Sequence, residues 1–275
     1  MQTKIALVTG GTSGVGRSIL PDLVRAGFFV HFIGTNAAKG RAVEAELNAG
    51  GEAVARFIKL DLSDLRGVGA FAQQFAEDVP TLDLLLNVAG VLLQDRQVTE
   101  EGFEKTFSVG YLSAFLLSRE LTPSLARAPH PRIANVAGAP KFVLTQALNL
   151  DDLDFETDYK PMLVAIKTVH AKTVLTEILA EKLSEHGIDV NSFHPGAVKG
   201  DLGRSMGFPL KHIFAVANKF MSATSKSGVY VSTAEELNGV TGQFFVGKKP
   251  RPLSFDQAYK DELWKQTESM LERVA

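Results

Sequence analysis

The sequence predicts an α/β fold in which one domain holds a doubly wound parallel sheet of about seven strands. Short runs rich in β-branched residues alternate with longer segments that have the 3.6-residue period of helices. No Pro/Ser-rich linker, composition shift or internal repeat interrupts this alternation, which favours one domain over residues 1–275. A glycine-rich stretch separates the first strand from the first helix, as in nucleotide-binding βα units.

Each element follows from this alternation. The predicted strands are Lys4–Thr9, Phe28–Ile33, Ala53–Leu60, Leu82–Asn87, Arg132–Ala137, Ile188–Phe193 and Gln243–Val246. The predicted helices are Gly14–Ala26, Ala38–Ala49, Leu65–Glu77, Glu100–Ala126, Pro161–His186, Thr224–Leu237 and Phe255–Arg273.

Composition narrows the function. With 275 residues that are 45% hydrophobic, the chain can bury a sizeable core. Lys and Arg total 29 against 31 Asp and Glu, so nucleic acid is not an expected partner. The chain has no cysteine, which excludes disulfides and thiol catalysis. We expect no membrane span, no metal site and a cytoplasmic location, with a small molecule as the partner.

The first chemical signal is VTGGTSGVGRS, from Val8 to Ser18. Gly10, Gly14 and Gly16 are spaced so that the backbone can turn tightly and present amide groups, with the helix N-terminus, to a pyrophosphate. The alternative is that these glycines only tighten a βα turn. The order of strand, loop and helix favours a Rossmann-type dinucleotide site.

These motifs resemble those of the short-chain dehydrogenase/reductase family. Its TGxxxGxG fingerprint is matched by Thr9, Gly10, Gly14 and Gly16, and its NNAG motif by NVAG at Asn87–Gly90. LNGVTGQFFVGKKPRP is similar to the last strand of the branch that contains retinol dehydrogenases.

The resemblance implies a cofactor site on the segments that follow the strands. Its residues would be Thr9, Gly10, Thr12, Ser13, Gly14, Val15, Gly16, Thr35, Asp61, Leu62, Asn87, Ala89, Gly90, Pro195, Gly196 and Val198. In such a site Asp61 binds the adenine amino group, Asn87 and Gly90 line the ribose, and Pro195–Gly196 lies beside the nicotinamide. Asp61 could instead be a helix cap, and Pro195–Gly196 an ordinary turn.

The choice of cofactor depends on the end of the second strand. An NAD site would require a carboxylate that binds the adenosine ribose, and Gly34, Thr35 and Asn36 do not provide one. Lys39 and Arg41 could meet a 2′-phosphate, although a solvated helix face explains them equally well. The sequence therefore favours NADP(H) over NAD(H).

The catalytic residues of the family are missing. Its chemistry uses a phenol to pass a proton to the carbonyl oxygen, a lysine four residues later, a serine and an asparagine. In this chain Ala165 and Val169 stand at the Tyr and Lys positions, Gly138 at the Ser position and Gly110 at the Asn position. None of the four tyrosines is followed by a lysine at the fourth position. Ordinary carbonyl reduction is not expected.

Three other polar side chains are candidates for a changed catalytic site. They are Tyr111 beside the lost Asn, Lys172 one helical turn after Val169, and His194 before the Pro-Gly turn. Each could instead be a packed, capping or surface residue. Small residues at the tetrad positions predict an enlarged apolar cavity for a bulky ligand.

Two further expectations concern surfaces. The amphipathic stretch within residues 200–222 corresponds to the lid of relatives, although an ordinary surface helix fits equally well. Relatives dimerise through the two long helices, so a homodimer is an expectation from resemblance alone.

Three functions are compatible with the sequence. The first is a biosynthetic enzyme that binds NADP(H) and acts as a cyclase, isomerase or reductase of an activated substrate. The second is an inactive pseudoenzyme that senses a dinucleotide or binds a protein partner. The third is a conventional NADP-dependent oxidoreductase. A pocket lined by Tyr111, Lys172 or His194 would favour the first, and an apolar filling would favour the second.

Overall fold

The chain forms one twisted sheet with helices on both faces. The computed structural model describes residues 3–157, 159–198 and 222–274. The strands are β1 (Lys4–Val8), β2 (Phe28–Gly34), β3 (Ala55–Lys59), β4 (Leu84–Asn87), β5 (Arg132–Val136), β6 (Asp189–His194), β7 (Gln243–Val246) and β8 (Lys249–Pro252). Their order in the sheet is β3-β2-β1-β4-β5-β6-β7-β8. The first seven strands are parallel, which confirms the predicted doubly wound architecture.

The helices fill the intervals between the strands. They are α1 (Gly14–Arg25), α2 (Ala37–Leu47), α3 (Leu65–Asp78), α4 (Lys105–Phe107), α5 (Ser113–Glu120), α6 (Thr122–Leu125), α7 (Pro140–Val143), α8 (Pro161–Lys182), α9 (Lys226–Thr233) and α10 (Gln257–Glu272). Short 3₁₀ turns follow at Ser184–His186 and Glu235–Leu237.

Local chemistry explains where several helices start. Asn36 caps α2 by accepting a hydrogen bond from the Lys39 amide at 2.9 Å. Asp64 accepts the Gly67 amide at 2.9 Å at the start of α3, and Asp256 accepts the Tyr259 amide at 3.0 Å at the start of α10. Helix α8 begins with Pro161, whose missing amide is no loss in a first turn.

The predicted helix Glu100–Ala126 is wrong as a continuous element. Gly102 adopts a left-handed φ of 89°, so the helix starts later, at Lys105. A π turn then runs over Ser108–Leu112 and carries Gly110, and α6 begins at Thr122 with Pro123 in its first turn. All five residues of Ser108–Leu112 are buried, so their side chains show no periodicity from which a π turn could be predicted.

Strand β8 was absent from the prediction. Its sequence KPRP is exposed and contains two prolines, which the sequence pattern indicates as loop. It pairs antiparallel with β7 at the sheet edge, after a tight turn at Gly247 with φ of 65°. An edge strand tolerates proline because one side needs no ladder hydrogen bonds.

Two apolar cores lie on the two faces of the sheet. One is covered by α1, α2 and α9 and includes Ile19, Val43 and Val231. The other is covered by α3, α5, α8 and α10 and is the larger. Helix α10 lies against both α5 and α8, the two helices through which the sequence predicts dimerisation. The part of their surface that α10 covers is occupied within one chain, and the homodimer itself stays a prediction.

The topology places the carboxyl ends of β1 and β4 side by side at the centre of the sheet. From β1 the chain winds to β2 and β3 on one side, and from β4 it winds to β5 and β6 on the other. Ligands of such sheets bind at this reversal of strand order. None of the described helices is both long enough and apolar enough to span a membrane.

His31 of β2 makes folding sensitive to acid. It is 8% exposed between Phe29 and Phe75, and burial lowers its pKa to about 4 from 6.5. Above pH 6.5 both states hold a neutral imidazole. As the pH falls from 6.5 to 4, the unfolded chain takes up a proton that the folded chain resists, so the free energy of unfolding falls. We expect this residue to account for about 2 kcal/mol of that loss.

Urea unfolding of the wild type and of His31→Gln between pH 4.5 and 7.5 measures the contribution. The difference between the two unfolding free energies should shrink as the pH falls. His186→Gln changes an exposed histidine and should follow the wild type. Parallel curves for the wild type and His31→Gln would show that His31 does not titrate with unfolding.

Candidate functional site: a dinucleotide turn beside an apolar catalytic position

The glycine turn has the geometry that a pyrophosphate requires. Gly10 and Gly14 have φ values of 69° and 51°, which glycine adopts without strain. A Cβ at Gly16 would lie 2.5 Å from the Gly10 carbonyl oxygen, so only glycine allows α1 to start this close to the turn. A Cβ at Gly14 would meet no atom within 4 Å, which leaves open space above the turn.

The first turn of α1 leaves its amides available. Ser13 is the N-cap but makes no side-chain capping hydrogen bond, and the first turn carries no acidic residue. Unsatisfied amides at a helix N-terminus form a positive site that suits a phosphate oxygen. Val15, half-buried, lies within this turn. The residues present therefore fit a dinucleotide.

The loop after β4 is held against this turn. The Thr9 hydroxyl accepts hydrogen bonds from the amides of Val88 at 2.9 Å and Ala89 at 3.1 Å. A Cβ at Gly10 would lie 3.0 Å from the Ala89 Cα, so the loop and the turn pack backbone to backbone. Gly90 follows on the exposed rim.

The Asn87 side chain points into the protein. It is 1% exposed, and its amide nitrogen donates to Asn135 Oδ1 at 3.0 Å and to Ser118 Oγ at 3.3 Å. Its side chain thus ties β4 to β5 and α5 beneath the site. The Asn87 side chain therefore supports the site from below, and the prediction that Asn87 and Gly90 line a ribose stays a prediction.

The adenosine end is formed by the ends of β2 and β3. The Thr12 side chain occupies the space over Gly34, where a Cβ would lie 2.5 Å from Thr12 Cγ2. Thr35 is exposed beside it, and Leu62 is buried. Asp61 accepts hydrogen bonds from the amide and hydroxyl of Ser63 at 2.9 and 2.8 Å, both on Oδ1. These bonds fix an exposed carboxylate at the rim, which serves as a turn cap and is open to an adenine.

The basic residues proposed for a 2′-phosphate lie on α2. Lys39 and Arg41 are both exposed near its N-terminal end. Asn36 is engaged as the cap of the helix. The preference for NADP(H) over NAD(H) stays a prediction.

On the nicotinamide side, β6 ends in Pro195 and Gly196. Gly196 has φ of 75°, and the Pro195 carbonyl accepts the Ser225 hydroxyl at 2.9 Å. Val198 forms a bridge with Ser222. Gly200 and the predicted lid at 200–222 lie, except for Ser222, outside the described residues.

The Asn position of the family is filled from α8. A Cβ at Gly110 would lie 2.5 Å from Thr168 Cγ2, and Thr168 is 3% exposed. The Thr168 hydroxyl donates to the Val164 carbonyl at 2.8 Å within its own helix. A methyl group therefore takes the space of a side chain that would bind water or relay protons.

The Ser position is filled by two valines. A Cβ at Gly138 would lie 2.8 Å from Val143 Cγ1 and 3.3 Å from Val169 Cγ2. Val143 is fully buried in a small apolar cluster with Ala137 and Phe244, and Val169 packs against it. We call Val143 and Val169 the valine pair. The small residues at 110 and 138 thus make room for these neighbours, which contradicts the expected enlargement of the cavity at these two positions.

His170 holds Val143 of the valine pair in place through its backbone carbonyl, a contact that the sequence did not predict. One ring nitrogen lies 2.6 Å from the Val143 carbonyl oxygen and the other 3.0 Å from the Tyr259 hydroxyl. Burial lowers its pKa, so the imidazole is neutral near pH 7. No sequence signal marks this contact, because it joins α8 to α7 and α10.

Tyr111 is a core residue, which contradicts its expected catalytic role. It is fully buried among Phe107 and Phe115, and its hydroxyl pairs with Thr267 Oγ1 of α10 at 2.8 Å. Burial raises its pKa above the ordinary value of 10. Tyr111 lies in the π turn, and its hydroxyl reaches α10.

His194 and Lys172 do lie beside the site. His194 hydrogen-bonds the backbone of Gly138, and burial lowers its pKa. Its Nδ1 is buried and has no partner among the described residues. Lys172 is 1% exposed, and its ammonium donates to the Ala89 carbonyl oxygen at 3.3 Å. Burial lowers the pKa of Lys172 to about 7.

Known proteins share this architecture. A family model described as short chain dehydrogenase matches residues 4–143. Human retinol dehydrogenase 14 is 30% identical over 98% of this chain and 87% of its own length. Mouse polyprenol dehydrogenase is 32% identical over 95% of this chain and 82% of its own.

Solved structures agree on the fold. An uncharacterized protein from Mycobacterium paratuberculosis has a TM-score of 0.74 at 22% identity, covering 98% of this chain and 93% of its own. The NADP complex of RhlG from Pseudomonas aeruginosa has a TM-score of 0.65 at 22% identity, covering 89% of this chain and 94% of its own.

The buried position of Tyr111 can be tested by changing its hydrogen-bond partner, Thr267. Thr267→Val keeps the volume but leaves a buried phenol hydroxyl unpaired, so the free energy of unfolding should fall by about 1–3 kcal/mol. Tyr111→Phe combined with Thr267→Val removes both polar groups and should recover most of that loss. Urea unfolding measures both. Loss of dinucleotide binding in Tyr111→Phe, with stability unchanged, would instead place Tyr111 in the site.

Proposed function

This chain belongs to the short-chain dehydrogenase family, and we propose that it binds a nicotinamide dinucleotide. In this proposal it does not reduce carbonyls by the family mechanism. The observation that carries the proposal is the contrast between two neighbouring regions. The glycine turn has open space above Gly14 and fits a pyrophosphate, whereas the spaces beside Gly110 and Gly138 are filled by Thr168 and the valine pair.

The physical argument rests on what proton transfer needs. A carbonyl oxygen that accepts hydride must receive a proton from a nearby group, and a polar side chain must hold it in place. Ala165 and Val169 provide neither a phenol nor an ammonium, and Gly138 provides no hydroxyl. Loss of one such group already costs several kcal/mol of transition-state stabilisation, and here the whole unit is replaced.

A bound dinucleotide would supply hydride chemistry at its nicotinamide ring. The residues of this chain would hold its pyrophosphate at the α1 N-terminus, its adenosine near Thr35 and Asp61, and its nicotinamide beside Pro195. NADP(H) is preferred because the end of β2 lacks a carboxylate and α2 presents Lys39 and Arg41. The function supported best is therefore a dinucleotide-binding pseudoenzyme that acts as a sensor or partner-binding protein in the cytoplasm.

A repurposed enzyme is the second candidate, favoured by His194. Its Nδ1 is buried and has no hydrogen-bond partner among the described residues, so a ligand could complete its hydrogen bonding. Exposed apolar side chains lie on α7, just after it and on the first turn of α8: Phe142, Leu144 and Met162 are 48%, 38% and 51% exposed. Such a surface suits a bulky apolar ligand, and an electrophile such as an iminium ion would need no proton at an alkoxide.

Titration with NADPH and NADH, followed by fluorescence, tests binding. We expect saturable binding and no measurable binding to Gly14→Val, whose side chain would fill the open space above the turn. Gly51→Val is the matched control, because Gly51 also has a positive φ of 91° and open surroundings but lies in the turn before β3. Both variants should lose about 1–2 kcal/mol of stability from backbone strain. Equal dinucleotide binding by Gly14→Val and Gly51→Val would show that the dinucleotide does not bind at the glycine turn.

Incubation of the complex with ketones, aldehydes, enones and imines separates the functions. The proposal expects no cofactor oxidation by ketones or aldehydes above the rate without protein. Oxidation by imines alone would support the repurposed enzyme. Rapid oxidation by a simple ketone would show that the site is a conventional reductase.

The filled positions predict how catalysis could be restored. Gly110→Asn, Gly138→Ser, Ala165→Tyr and Val169→Lys together should give little ketone reduction, because Thr168 Cγ2 and Val143 Cγ1 lie 2.5 and 2.8 Å from two of the new Cβ atoms. Adding Thr168→Ser and Val143→Ala removes those atoms. We expect the six-residue variant to exceed the four-residue variant by about 10²-fold in kcat/KM. Equal rates would show that these contacts do not block the site.

A further inference from the structure

Lys172 is a buried ammonium group with one recorded acceptor. It lies on α8, is 1% exposed, and donates to the Ala89 carbonyl oxygen at 3.3 Å. Burial lowers its pKa, and among the described residues no carboxylate forms a salt bridge with it. Burying such a charge is costly, and the position has no role in the family mechanism described above.

The ammonium and the Thr9 hydroxyl together hold both backbone polar groups of one residue, Ala89. The Ala89 amide donates to the Thr9 hydroxyl at 3.1 Å, and the Ala89 carbonyl accepts from Lys172. Ala89 is the residue that packs against Gly10, where a Cβ would lie 3.0 Å from its Cα. Lys172 therefore fixes the loop that borders the dinucleotide turn, from the opposite side to Thr9.

We propose that Lys172 is a positioning residue of the dinucleotide site whose ammonium couples dinucleotide binding to the uptake of a proton. The inference rests on the proposed dinucleotide binding. The ligand class is an anionic dinucleotide, whose pyrophosphate brings two negative charges to the turn that Ala89 touches. Negative charge near a partly neutral amine favours its protonated form.

The sign of the effect follows from the two states of the amine. Below pH 7 Lys172 is protonated in the free protein, so binding takes up no proton there. Above pH 7 the free amine is largely neutral and the complex favours the ammonium. Affinity should therefore fall as the pH rises from 7 to 9, by at most about tenfold per pH unit for one proton.

Other titratable groups of the described residues lie on the elements packed against α8. Four of them are half-buried there: Lys105, Glu120, Glu262 and Glu268. Six further groups are buried or half-buried: Tyr111, Arg132, Asp189, His194, Tyr259 and Lys260. The pKa of His194, like that of His170 on α8, is lowered from 6.5, and the pKa values of both tyrosines are raised from 10, so all move away from the range of pH 7–9.

The remaining three groups lie away from the site or are paired. Arg132 and Asp189 are the first residues of β5 and β6, at the amino ends of the strands, whereas the dinucleotide loop follows the carboxyl end of β4. Lys260 of α10 is paired with Glu177 and Glu181. Lys172 is therefore the group whose titration belongs to the dinucleotide loop.

Calorimetric titration with NADPH and NADH in buffers of different ionisation enthalpy measures the protons taken up. At pH 8.0 the 2′-phosphate of NADPH, with a second pKa of about 6, is already ionised. We expect the wild type to take up at least about half a proton per dinucleotide, and Lys172→Met to take up none. Lys167→Met, on the same helix, should behave as the wild type.

A second variant separates the hydrogen bond to Ala89 from the proton. Lys172→Gln keeps an N–H donor for Ala89 but cannot titrate, so it should bind without proton uptake and with the same affinity at pH 7 and 9. Thermal unfolding confirms that each variant is folded. Both variants replace a buried amine by a neutral group of similar length, which favours folding.

The outcomes are distinct. If the wild type binds dinucleotide without taking up a proton, the inference about Lys172 is wrong and dinucleotide binding stands. The same holds if a folded Lys172→Met or Lys172→Gln variant still takes up a proton. Absence of NADPH and NADH binding in the wild type overturns both the inference and the proposed function. Loss of uptake in the Lys172 variants with wild-type behaviour of Lys167→Met establishes the coupling.

Discussion

The close approach of two backbones at the centre of the sheet is the constraint on which the rest of the structure depends. Parallel pairing of β1 with β4 brings the turn after β1 next to the loop after β4. Gly10 has no side chain, so Ala89 can pack directly on it, and Thr9 binds the amides of that loop. The turn, the start of α1 and the end of β4 are therefore fixed as one rigid unit.

On one side of this unit, polar groups have been lost while packing has been kept. Thr168 occupies the space beside Gly110, and the valine pair occupies the space beside Gly138. His170 secures this arrangement through the Val143 carbonyl. A protein interior is close-packed, so a deleted catalytic side chain leaves either a cavity or a neighbour that fills it. Here neighbouring side chains fill the space beside Gly110 and Gly138.

On the other side, a charge has been buried where packing alone would favour an apolar residue. Lys172 donates to Ala89 under the dinucleotide loop, while Tyr111 is turned into the core and paired with Thr267. Both residues lie near predicted catalytic positions in the sequence. In the structure Tyr111 lies in the apolar core, whereas Lys172 lies against the dinucleotide loop. Their difference is decided by the π turn and by α10, which covers α5 and α8 within the chain.

The sequence by itself determined the seven parallel strands, their alternation with helices and the glycine turn, because periodicity and glycine spacing are local properties. It also identified Gly110, Gly138, Ala165 and Val169 as residues that cannot carry the family chemistry, since side-chain identity alone decides this. Only the tertiary structure decided what fills the vacated positions, that Asn87 points inward, and that Lys172 reaches Ala89. Those contacts join residues far apart in the chain, and their distances depend on how α7, α8 and α10 pack on the sheet.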